Sequence, residues 1–227
     1  NTMSFTPRAA VPRRGFLFRL SQGVAGLSAV FAGAAPAHAA AGGSNIAADP
    51  DAWISRLTGE SKVMIHVHNH FISALVDART MLANARDSYG VPETENSIAV
   101  VTHGAAVQGL LRDEIWEKFA LGAHYKVNDS KTGAPATRNI FLTPQDGEPS
   151  DATVGALMKR GVTFVACNVA LRSLSKRLAR DGVTADAVYE QLAAGLVPGT
   201  FVVPDLFVSI QRAQKRGVAY IFTDRPR

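Results

Sequence analysis

Five short apolar runs alternate with segments whose apolar residues recur at helical spacing, and this alternation constrains the fold more than anything else in the chain. The runs are Lys62–Val67, Ser97–Thr102, Val162–Ala166, Thr200–Val203 and Val218–Phe222. Each is almost continuously apolar, as expected of strands covered by helices on both faces. Between them, Ile72–Tyr89 carries Ile72, Leu75, Val76, Met81, Leu82 and Ala85 on one helical stripe and stops at Gly90 and Pro92. Helices are also predicted at Glu114–Leu121, at Asp151–Arg160 with Asp151 near its N-terminus, at Asn168–Asp181, at Thr184–Ala194 and at Asp205–Arg216. Strand–helix alternation of this kind implies an α/β layered domain with a central, mostly parallel sheet.

The ends of the pattern set the domain limits. Residues 1–39 hold a basic opening with Arg13-Arg14 before Gly15-Phe16-Leu17, a mildly apolar run and Ala37-His38-Ala39. This has the form of a signal peptide and resembles the twin-arginine export type, which implies a periplasmic protein. The run is interrupted by Gly, Ser and Gln and is short for a bilayer span, and no later segment is long enough for one. Residues 40–60 read as a flexible leader, residues 61–227 as the α/β domain, and residues 122–147 as a loop insertion within it.

Charge excludes one class of partner. The formal net charge is +5. Arg8, Arg13, Arg14 and Arg19 all lie in the first 39 residues, which contain no acid, so the remainder is near +1. No basic stripe with interleaved aromatics is present, and nucleic acid is not an expected partner.

In α/β folds of this kind, sites collect beyond the carboxyl ends of the strands. Three groups stand there. The single cysteine, Cys167, ends the third strand and opens a helix, where the helix dipole and free N–H groups favour a thiolate. Asn168 is a candidate cap beside it, and Arg172 lies about one turn on. A lone cysteine excludes an internal disulfide and a Cys-x-x-Cys oxidoreductase, leaving a buried thiol, a thiol paired between chains, or a reactive one. His103 and Gly104 end the second strand, where Gly104 permits a tight turn and His103 offers an acid, base or hydrogen-bond donor. His66, His68 and His70 follow the first strand. Residues two apart on a strand share a face, so the three rings could converge on zinc or copper; if the strand stops near His68, they do not.

The ordered set of a strand ending in His103-Gly104, a strand ending in Ala166-Cys167-Asn168 with Leu171 beyond, Val203-Pro204 before the last helix, and Gln211-Arg-Ala-Gln-Lys-Arg-Gly-Val-Ala-Tyr-Ile221 resembles the DsrE/DsrF-like family of sulfur-relay proteins. The resemblance runs from Lys62 to Phe222. It implies the same α/β fold and assembly into homo-oligomers, often trimers or hexamers, or hetero-oligomers. It also implies that Cys167 carries sulfur as a persulfide between a donor and an acceptor protein. His103, Gly104, Asn168 and Arg172 would shape the pocket. Well-studied members work in the cytoplasm, whereas this chain carries an export-type signal. The alternatives from the residues alone are a metal- or cofactor-binding module built on the histidines and an oligomeric scaffold without chemistry.

Overall fold

The computed structural model describes residues 49–180 and 182–226. The export-type signal and the first part of the leader lie outside the described residues. The five apolar runs form the strands β1 (Ser61–Val67), β2 (Asn96–Thr102), β3 (Thr163–Cys167), β4 (Phe201–Val203) and β5 (Ala219–Phe222). They make one sheet in the order β4-β3-β2-β1-β5, with every pairing parallel. The chain therefore steps outward from β1 to β4, then returns to pair β5 with the other side of β1. The single reversal of strand order lies between β1 and β5, and such switch points open a crevice beyond the carboxyl ends of the strands.

Register and side-chain alternation give the sheet two distinct faces. His66 is level with Val101 and Phe222, Val101 with Val165, and Val165 with Phe201. These residues share a face, and Ile65, Val100, Phe164 and Val202 share the opposite one. Helix α1 (Phe71–Tyr89) covers the second face; its first residue, Phe71, packs edge-on against Phe141 and near Phe164. Helix α7 (Leu206–Gln214) covers the first, with Phe207 against His66 and His103. Placing α1 and α7 on opposite faces follows from right-handed crossovers whose direction reverses once. The remaining helices are α2 (Asp113–Lys118), α3 (Leu121–Tyr125), α4 (Val154–Lys159), α5 (Asn168–Leu178) and α6 (Ala185–Ala194).

Four expectations need correction. The leader is not flexible over its last part: residues 51–57 pack on α7. Trp53 is fully buried and its indole N–H donates to Ser209 Oγ at 3.0 Å. Asp51 is buried and accepts hydrogen bonds from Arg212 and Arg216. The alanine-rich composition hid this, because two side chains supply the anchor. Residues 122–147 begin in α3 and are mostly irregular beyond it, but they are not simply a surface loop. Asn139 is buried, and its Nδ2 donates to Gly109 O at 2.9 Å and Leu111 O at 2.6 Å, while Phe141 enters the core. The helix expected from Asp151 begins only at Val154, so Asp151 lies outside α4 and does not cap it. Thr153 does, accepting from Ala156 N at 3.2 Å, and Asp151 pairs with Arg79 and Arg160. The helix expected over Glu114–Leu121 also breaks after Lys118, where Ala120 takes a positive φ of 46°.

Trp53→Ala is expected to cost about 3–5 kcal/mol, the usual loss for truncating a buried aromatic. Arg212, through its hydrogen bond, holds the Asp51 carboxyl below its ordinary pKa. The stability Asp51 contributes is thus present above the unfolded carboxyl value of ~3.9 and lost as pH falls through the depressed folded one. Denaturant titrations should show Asp51→Asn well below wild type at neutral pH, with the gap closing in strong acid; a gap independent of pH would refute the assignment.

Candidate functional site

The carboxyl rim at the strand reversal collects the chain's candidate groups on one face of the sheet. The ladder continues one residue past β1 and β2, since His103 N donates to Val67 O at 3.0 Å. His68 and His103 are thereby neighbours, and their Nδ1 atoms lie 2.9 Å apart. Cys167 follows Ala166, the last residue of the β2–β3 ladder, and is level with Val203 on β4, so it ends β3 on the face that carries Val101 and Val165. Gly104 makes this packing feasible. Its φ is +56°, and a Cβ there would lie 2.6 Å from the His68 ring. The left-handed turn and the absent side chain together let the two imidazoles meet.

His66 sits one row deeper. Its Nδ1 is 2.9 Å from the Tyr220 hydroxyl, and its Nε2 is buried with no hydrogen-bond partner. Its ring is walled by Phe222 at 5.3 Å, Tyr220 at 6.0 Å, Phe207 at 6.1 Å and His103 at 6.4 Å between centroids. Burial disfavours the imidazolium, and the neighbouring His103 and His68 add to this, so the His66 pKa falls to about 4. His103 is lowered in the same sense, first by burial and then by His68, with Asp205 opposing. Near neutral pH both rings are therefore neutral, able to donate through one nitrogen and accept through the other. In the His68–His103 contact one ring donates and the other accepts, so a doubly protonated pair loses the bond.

The other expected site residues are placed differently. His70 does not join His66 and His68. It precedes α1, and its Nδ1 lies 3.1 Å from Asp224 O while its backbone N–H donates to Asp224 Oδ1. Because β1 ends at Val67, the alternation that would have aligned three histidines fails there. Among the described residues, no group of three His, Cys, Asp or Glu side chains is arranged to hold a metal ion. Asn168 is buried and its Oδ1 accepts from Tyr189 OH at 2.7 Å; it is the first residue of α5, with Cys167 in the cap position. Arg172 stacks over the Tyr189 ring at 4.0 Å and pairs with Asp186 at 3.6 Å, so its charge is directed to α6. Both residues expected to line a pocket thus join α5 to α6. Cys167 is 1% exposed, a covered thiol.

Phe207, Tyr220, Phe222 and Asp205 carry no site role in the sequence reading, although Tyr220 stands in the C-terminal motif. The alternation Tyr220-Ile221-Phe222 held the signal for two of them, since residues two apart share a face. Recognising it required knowing that β5 pairs with β1.

No family model matches the chain, and no curated protein matches it. Among solved structures it is similar to a protein of unknown function, MTH1491 from Methanobacterium thermoautotrophicum. That protein is 20% identical, with 72% of this chain and 99% of that chain covered and a TM-score of 0.41. Among the described residues, no helix is long and apolar enough to cross a membrane.

The low pKa of His66 gives a signed expectation. The unfolded imidazole, at ~6.5, takes up a proton that the folded one refuses until about pH 4. Stability should therefore fall as pH drops from ~6.5 and level off below about 4. Imidazole NMR titration should place His66 near 4, and His66→Gln should flatten that part of the stability profile. A His66 midpoint near 6.5 would contradict the site geometry.

Proposed function

We propose that this protein is a DsrE-like sulfur carrier that works at the carboxyl rim, through Cys167 with His103 beside it. The observation that supports the reading is that β3 ends at Cys167, one residue past the β2–β3 ladder, on the sheet face that also carries His66 and Val101, while the next turn after β2 holds the hydrogen-bonded His68–His103 pair. The resemblance in the strand-end motifs points to the same two residues. In this reading the protein acts in the periplasm as a homo-oligomer, receives sulfur from a donor and passes it to an acceptor protein.

The chemistry is sulfur exchange. The Cys167 thiol gives its proton to the neutral His103 imidazole, and the thiolate attacks the outer sulfur of a polysulfide. A new sulfur–sulfur bond forms on Cys167 while the donor's breaks, and the shortened polysulfide leaves with the bonding electron pair. One sulfur–sulfur bond replaces another, so no further oxidant is required. Burial of Cys167 suits the product, because a covered persulfide is shielded from competing thiols. It also limits entry to small donors or to moments when the cover opens.

Inorganic polysulfide should add sulfur to the native protein, as a mass increase that localises to Cys167, reverses on reduction and is lost in Cys167→Ser. A bulky aromatic disulfide should react with native Cys167 about two orders of magnitude slower than with the unfolded chain. Equal loading of Cys167→Ser, or a native thiol that never takes up sulfur, would overturn the carrier reading. The second outcome would leave an oligomeric scaffold in which Cys167 is core.

A further inference from the structure

A cleft of about 910 Å³ opens at the amino ends of β2, β3 and β4, at the opposite end of the sheet from the rim. That volume is within the range of small-molecule sites. Its floor follows from the register. Ala99 is level with Thr163, and Val165 with Phe201, so Ser97, Thr163 and Phe201 share one face, the face that α7 covers further along. Arg56, ahead of β1, and Glu93, Lys159 and Arg160, in the turns that lead into β2 and β3, join them in the lining.

The charges of this lining do not cancel. Arg160 forks onto Glu93, Nε to Oε2 at 3.0 Å and Nη2 to Oε1 at 2.8 Å, and its Nη1 reaches Asp151 at 3.1 Å. Arg79, Arg86 and Asp87 extend this into one chain of three arginines and three carboxylates, neutral as a whole. Glu93, the one carboxylate among the described lining residues, is therefore already matched. Arg56 and Lys159 are not: their charged groups make no hydrogen bond or ion pair among the described residues. The floor holds a further unmet group. Thr163 is only 8% exposed, yet its hydroxyl has no partner among the described residues. A polar side chain this buried is ordinarily paired. Beside it, Ser97 Oγ accepts from Gly59 N at 2.7 Å and keeps its own O–H to donate.

We infer that this cleft binds a small organic phosphate, its phosphate held by Arg56 and Lys159 and its hydroxyl-bearing body by Ser97 and Thr163. A phosphate answers two unmatched cations better than a carboxylate does, because it carries close to two negative charges on three oxygens. The two floor hydroxyls each donate or accept, which suits the hydroxyls of a sugar. Phe201, partly buried on the same face, gives the carbon side of such a ring an apolar surface. The Arg160–Glu93 fork fixes the lining between them, since both side chains are largely buried. The cleft and the rim are at opposite ends of the strands, so this binding goes beyond the carrier reading and does not depend on it.

The test is isothermal titration calorimetry of the full chain with ribose 5-phosphate, ribose and inorganic phosphate. Ribose 5-phosphate should bind one molecule per chain, about tenfold tighter than either fragment. Arg56→Ala and Lys159→Ala should each weaken it about tenfold, the usual effect of one hydrogen bond to a charged group. Thr163→Val should weaken it about fivefold while leaving the thermal midpoint unchanged or raised, because the hydroxyl it removes has no partner within the chain. No binding of ribose 5-phosphate at millimolar concentration, or binding that survives unchanged in both Arg56→Ala and Lys159→Ala, would overturn the inference. Inorganic phosphate binding as tightly as ribose 5-phosphate would reduce the cleft to an anion site and overturn it too.

Discussion

The structure depends on β1 being paired in parallel on both sides. Its ladder with β2 runs seven residues, from Ser61 opposite Asn96 to Val67 opposite Thr102, and its ladder with β5 runs from Val63 to His66. A strand held on both edges cannot slip by one residue without turning its side chains to the wrong face. That register puts His66 beneath Phe222 and brings His68 beside His103. It also places the chain reversal where the crevice must form. The site is a consequence of the ladder more than of any residue in it.

Around that ladder, the polar groups divide between holding and working. Asp51 with Arg212 and Arg216 holds the N-terminal segment on α7, and Asp224 holds Asn69 and His70 at the mouth of α1. Asn168, Tyr189 and Arg172 hold α5 to α6. Near the rim, His68 and His103 share a proton, His66 keeps a buried nitrogen without a partner, and Cys167 is a free buried thiol. The same α7 that covers these groups also presents Phe207 outward.

The strands and the α/β layering were legible because continuous apolar runs and 3.6-residue stripes are local signals. Every expected strand is present, with ends moved by a residue or so. The rim position of His103 and Cys167 was legible too, since strand ends can be read from the runs. The partners were not. Nothing local says that Arg172 prefers Tyr189 to the thiol, or that His70 answers to Asp224 from 154 residues away. Nor does local sequence show that β5 returns beside β1, so the aromatic wall of Tyr220 and Phe222 passed unnoticed. Trp53 and Asp51 were lost for a different reason: two anchoring residues stand in a stretch whose small residues carry no periodicity.

The central claim is that sulfur handling and the histidine row are one site. Imidazole NMR of the native protein, recorded before and after addition of inorganic polysulfide, tests it most directly. The account predicts that the His68 and His103 resonances shift together on loading, that His70 stays in place, and that Cys167→Ser abolishes every shift. Sulfur uptake at Cys167 that leaves His68 and His103 unmoved would contradict it.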